Sequence, residues 1–118
     1  MQKILIIIND PAYGTEKAYN ALRLANQLGK EYSQVEIRIF LMADAVTCAV
    51  AGQITPNGYY NIERMLRFSI GKGAKVKICG SCLDSRGLKS APLIDGTRIS
   101  TMPEMTEWVA DSDKVVTF

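Results

Sequence analysis

The run Ile4-Leu5-Ile6-Ile7-Ile8 constrains this chain more than any other feature. Successive side chains of a strand point to opposite faces, so an unbroken, mostly β-branched apolar run needs cover on both sides. It predicts a strand over Lys3–Ile8 in the middle of a parallel α/β sheet. The run is far shorter than the roughly 20 apolar residues of a membrane span, and also shorter than a signal-peptide core. Asn9-Asp10 ends it. No membrane association is expected, and a cytoplasmic location is.

The rest of the chain alternates in kind. From Thr15 to Gly29, Ala18, Ala21, Leu22, Ala25 and Leu28 recur at helical spacing, with Gly29 placed as a stop. Val35–Leu41 sets Val35, Ile37, Ile39 and Leu41 against Glu36, Arg38 and Phe40, a second strand with one more apolar face. Asp44 is placed to cap a helix reaching about Gly52, and Thr55-Pro56-Asn57-Gly58 has turn chemistry. Ile62, Met65, Leu66 and Ile70 predict another helix ending over Gly71–Gly73, and Ala74–Cys79 reads as the third strand. Beyond it, Gly80, Gly87, Pro92 and Asp95-Gly96 leave room for only a short helix or strand. Thr101-Met102-Pro103-Glu104 fits a capping box that opens a last helix, with Met105, Trp108 and Val109 on its buried face. Lys114–Phe118 closes the chain as a strand.

Strands separated by helices imply right-handed crossovers. The expected fold is one α/β domain over 1–118: a three-layer sandwich with a mostly parallel sheet and helices on both faces. With 118 residues, 47% of them hydrophobic and 22% charged, the chain can bury one core without disulfides or metals. Function in such sheets gathers beyond the carboxyl ends of the strands. Here that edge receives Asn9 to Gly14, Ala43 to Cys48, and Cys79 to Gly87.

Basic and acidic side chains nearly cancel, 14 against 12, with no Lys or Arg run to neutralise neighbouring phosphates, so no nucleic-acid partner is expected. No histidine is present, which excludes Cys-His hydrolysis and His-ligated zinc. Three cysteines do not make a structural zinc site, which takes four ligands, and no P-loop or dinucleotide fingerprint occurs. Neither a metal nor a cofactor is expected.

Cys79-Gly80-Ser81-Cys82 is a C-x-x-C pair at a strand end, with Arg86-Gly87 following. A thiol at the reference pKa of about 8.5 is only a few per cent thiolate at neutral pH. A fall to about 7 makes it roughly half thiolate, a change of about 2 kcal/mol. One guanidinium together with oriented loop amides can supply it, and Arg86 is the candidate guanidinium, with Lys77 the next side chain on the same strand face. The same residues also fit a Cys79 that merely continues the core. A thioredoxin-like exchanger needs a long helix after its first cysteine, which Gly87 and Pro92 do not support. Cys48 reads as core filling, and Asn9, Tyr13, Gly14 and Asp44 as possible lining of the crevice.

Taken together, four segments resemble the DsrE/DsrF-like family, which includes the TusD sulfur-relay subunit, and within it the small YchN-like members. They are Pro11-Ala12-Tyr13-Gly14, Phe40-Leu41-Met42-Ala43-Asp44-Ala45-Val46, Lys77-Ile78-Cys79 before Arg86-Gly87, and Asp113-Lys114-Val115-Val116-Thr117-Phe118. The resemblance spans the chain. It implies an α/β fold assembled as a homotrimer or homohexamer, and a cysteine at the end of the third strand, here Cys79, that accepts sulfur as a persulfide from a donor protein for an acceptor protein. Cys82 departs from the relay subunits and is similar to the YchN-like branch. The expected function is sulfur carriage on Cys79 with Cys82 as auxiliary thiol. The alternatives are an oligomeric regulatory or small-ligand-binding module and a dithiol redox protein.

Overall fold

In the computed structural model, which describes residues 1–118, the apolar run forms the central strand β1, Gln2–Ile8. Strands β2 (Val35–Leu41), β3 (Lys75–Cys79), β4 (Thr97–Ser100) and β5 (Lys114–Thr117) complete a wholly parallel sheet in the order β4-β3-β2-β1-β5. Helices α1 (Lys17–Glu31), α2 (Ile62–Gly71), α3 (Gly80–Ser85) and α4 (Met102–Asp111) fill the crossovers.

The register explains which face each side chain serves. Ile4, Ile6 and Ile8 lie level with Ile37, Ile39 and Leu41, and Ile39 and Leu41 with Val76 and Ile78. All eight are buried, on the face covered by α1 and α2. Leu5 and Ile7 are level with Arg38 and Phe40, and these with Lys75 and Lys77, on the face covered by α4. Phe40 meets Trp108 of α4 edge-on, ring centroids 6.2 Å apart. Arg38, only 6% exposed, donates to Glu36 at 2.7 Å, Asp111 at 2.8 Å and Ser112 at 3.2 Å, so a buried guanidinium is fully engaged. The expected α/β sandwich with helices on both faces is therefore the observed one.

Several local expectations change. Gly29 does not stop α1: glycine ends a helix by turning left-handed, and Gly29 stays helical while the chain runs on to Glu31. Asp44 is not a cap. Met42 holds the N-cap position of a short 3-10 helix, Ala43–Ala49, and no side chain caps it. The segment after Cys79 holds both a short helix, α3, and a short strand, β4. Thr101 does cap α4, accepting from the Glu104 amide, but the Glu104 carboxylate turns to Ser100 and Arg98, so the box is only half formed. On α4 only Trp108 is buried; Val109 is exposed.

Candidate functional site

Cys79 is both the last residue of β3 and the N-cap of α3. An N-cap side chain turns back over the first helical turn to accept from its free amides. Here the acceptor is sulfur: the Cys82 amide donates to Cys79 Sγ at 3.3 Å, and the Ser81 hydroxyl lies 3.4 Å away. The thiol borders a cavity of about 390 Å³ between the ends of β2, β3 and β4 and the first turn of α4. Phe40, Met42, Ser100, Met102 and Met105 line its other sides. Burial pushes the Cys79 thiol up, yet the Cys82 and Ser81 side chains and amides outweigh it, and the net direction is down.

Cys82 stands in the first turn of α3 behind this thiol and borders no part of the cavity. Its Sγ accepts the Ala43 amide at 3.2 Å. Ala43 is left-handed, φ 51°, a conformation that costs an alanine about 1–2 kcal/mol, and it is this turn that carries the amide. Burial raises the Cys82 thiol, and the neighbouring Cys79 raises it further. The pair is thus unequal: of the two thiols, Cys79 gives up its proton more readily. Both are free thiols.

Arg86 sits on the Cys82 side. Its Nε donates to Asp44 at 2.8 Å, and Nη1 to the Cys82 carbonyl at 3.2 Å and Ser85 at 3.0 Å. Its charge favours the Cys82 thiolate, whereas the main groups that lower Cys79 are the Cys82 side chain, the Ser81 hydroxyl and the amides of both residues, so the expected loop amides are in place and Arg86 is turned to Cys82. Asp44 meets the site through Arg86 rather than as cavity lining.

The family model for DsrE/DsrF-like proteins matches residues 2–118. The chain belongs to the DsrE/DsrF-like family. It is 45% identical to Protein YchN of Escherichia coli K12 over 118 residues, all of both chains, and 40% identical to the protein MJ0989 of Methanocaldococcus jannaschii across 98% of this chain and 99% of that one. The crystal structure of YchN from E. coli overlays with a TM-score of 0.94 over the full length of both chains. The structure of MTH1491 from Methanobacterium thermoautotrophicum, 11% identical with a TM-score of 0.81 over both full chains, shares the fold.

Within this family fold the remaining candidates separate. Tyr13 does not reach the cavity: its hydroxyl donates to Gln53 at 2.7 Å, accepts the Ile62 amide at 3.1 Å, and its ring stacks on Tyr60, pinning the loop after β1 to the start of α2. Lys77 shares the Cys79 face of β3 but lies over Trp108, Nζ 4.4 Å from the ring centroid, instead of reaching solvent. Cys48 is fully buried, and burial pushes its thiol up to about 12. Sequence reasoning did not single out Ser81, the Ala43 amide, or the methionine wall. Only the methionines left a signal, as apolar positions in α4. No cluster of three or more potential metal-ligating side chains occurs, and no helix is long and apolar enough to cross a membrane.

Proposed function

We propose that this chain is a persulfide carrier of the sulfur-relay kind, with Cys79 as the sulfur-bearing residue. One observation carries the reading: a thiol with lowered pKa, accepting from the Cys82 amide and in contact with the Ser81 hydroxyl, belongs to a residue that borders a cavity at the carboxyl edge of the sheet. The Cys79 thiolate attacks the outer sulfur of a donor persulfide, the donor's inner sulfur leaves as a thiolate, and Cys79 becomes a persulfide. An acceptor thiolate then attacks that outer sulfur and Cys79 leaves as thiolate. A depressed pKa helps both halves, raising the share of thiolate and making Cys79 a better leaving group afterwards. Neither half needs a general base, which suits a chain without histidine.

The methionine and phenylalanine walls provide a soft, apolar recess for a sulfane sulfur. A donor and an acceptor protein are the implied partners. Self-association as a trimer or hexamer belongs to the same proposal, supported by exposed Ile54, Tyr59, Phe68 and Ile99. The test is intact-mass spectrometry after incubation with a persulfide donor. One added sulfur on wild type, absent from Cys79→Ser, is the expected result; equal loading of Cys79→Ser would overturn it.

A further inference from the structure

We propose that Cys82 is a resolving thiol that discharges the Cys79 persulfide internally, releasing sulfide and leaving a Cys79–Cys82 disulfide. The inference rests on the carrier reading above and adds a second fate for the bound sulfur. It follows from where the two sulfurs stand. Cys79 Sγ borders the cavity, so the outer sulfur of a persulfide extends forward into it. Cys82 borders none of the cavity and stands in the first turn of α3, its amide 3.3 Å from Cys79 Sγ and its side chain the strongest of the neighbours that lower the Cys79 thiol. Displacement at sulfur runs in line, with the nucleophile opposite the leaving group. A thiol entering through the cavity meets the outer sulfur, whereas Cys82 meets the inner one from behind.

The chemistry balances without an outside oxidant. Cys82 attacks Cys79 Sγ, a bond forms between the two cysteine sulfurs, and the bond from Cys79 Sγ to the outer sulfur breaks with its electron pair leaving on the outer sulfur. The Cys82 proton passes to that sulfur, which departs as hydrosulfide. The two cysteines are oxidised and the sulfane sulfur is reduced to sulfide. Reopening the disulfide for another round takes an external dithiol.

The surroundings of Cys82 fit this role better than that of a core residue. The left-handed turn at Ala43 aims an amide at Cys82 Sγ, and Arg86 fixes the Cys82 carbonyl while held by Asp44. These contacts fix the second sulfur against the first and favour its charged form as the proton leaves. Cys79, as N-cap, is extended rather than helical, φ −61° and ψ 114°, which turns its side chain in toward the helical turn that carries Cys82.

The test compares wild type, Cys82→Ser and Cys79→Ser, loaded anaerobically with a small-molecule persulfide, quenched by alkylation at intervals, and read by intact mass and sulfide assay. In wild type the Cys79 persulfide should be transient. It should give way to a chain lighter than the reduced form by two hydrogens, with one sulfide released per chain and none further until a dithiol is added. Cys82→Ser should hold its persulfide at least roughly tenfold longer, a modest return for placing a nucleophile in contact with its target. If the wild-type persulfide lasts as long as that of Cys82→Ser, this inference is wrong and the carrier reading stands. A donor adduct on Cys79 preceding the disulfide, in place of a persulfide, also overturns it. No added sulfur on Cys82→Ser overturns the carrier reading and this inference with it.

Discussion

Trp108→Ala tests how the roof of the cavity is held. Trp108 is the only buried residue of α4, 8% exposed, and its ring meets Phe40, Lys77 and Arg38. Burying an indole removes roughly 200 Å² from water, or about 5 kcal/mol at 25 cal/mol per Å², an upper bound because unfolded chains already hide part of that surface. Lys77 and Arg38 regain some hydration when the ring goes, which offsets a fraction. The expected loss is about 3–4 kcal/mol, within the range for large-to-small core changes. A domain of this size has on the order of 10 kcal/mol of stability, so the variant should remain folded at room temperature. With no other buried anchor, the first turn of α4 should loosen and unroof the cavity at Met102 and Met105. Urea unfolding measures the first effect, and the rate of Cys79 alkylation, which should rise, measures the second. Trp108→Phe, which retains an edge contact with Phe40, should fall between. A loss below about 1 kcal/mol, an ordinary substitution effect, together with unchanged alkylation would refute this reasoning.

Alkylation followed against pH should show Cys79 reacting below the ordinary thiol range and Cys48 silent in the native state; Cys82→Ala should move the Cys79 profile upward by removing a side-chain donor. Contacts with Arg38 hold Glu36 and Asp111 below the usual carboxylate range, chiefly through its hydrogen bonds. The stability they contribute is therefore complete above their unfolded pKa values of about 4 and is lost as pH falls from there through the lower folded values. The urea midpoint should drop across that acid window, and a flat midpoint would refute it. At Gly96, φ 92°, an added Cβ would lie 2.7 Å from Ile70 Cγ2. Gly96→Ala should thus cost about 2–4 kcal/mol from left-handed strain and overpacking. In Ile70→Ala the same change should cost less, as a double-mutant cycle by urea unfolding will show.

The frame of the molecule was readable because its signals are local. The apolar run Ile4–Ile8 cannot be a half-exposed strand, and once it and Lys75–Cys79 are parallel their carboxyl ends define the site edge. Cys79 was therefore legible as a strand-end thiol. What failed were inferences from residue type to partner. Arg86 was assigned to Cys79 because it follows closely in sequence, but its place is decided by Asp44, 42 positions away. Gly29 has the composition of a helix stop and the conformation of a helix interior. The Ala43 turn left no trace at all, since alanine gives no sign of a left-handed backbone.

The strand order has a consequence for how a nascent chain acquires this structure. β1 lies between β2 and β5, so one of its edges finds no partner until residues 114–117 have been synthesised. Asp113 pairs with Lys3 and Phe118 with Ile7 and Asn9, contacts that span more than a hundred residues. During translation β1 can take β2 as soon as α1 is made, yet Leu5 and Ile7 stay uncovered until α4 and β5 leave the ribosome. The most apolar strand in the protein is thus the last to be fully enclosed. Closure of so long a loop is slow, and the growing chain passes through a stage in which that bare edge is open to other chains or to a chaperone.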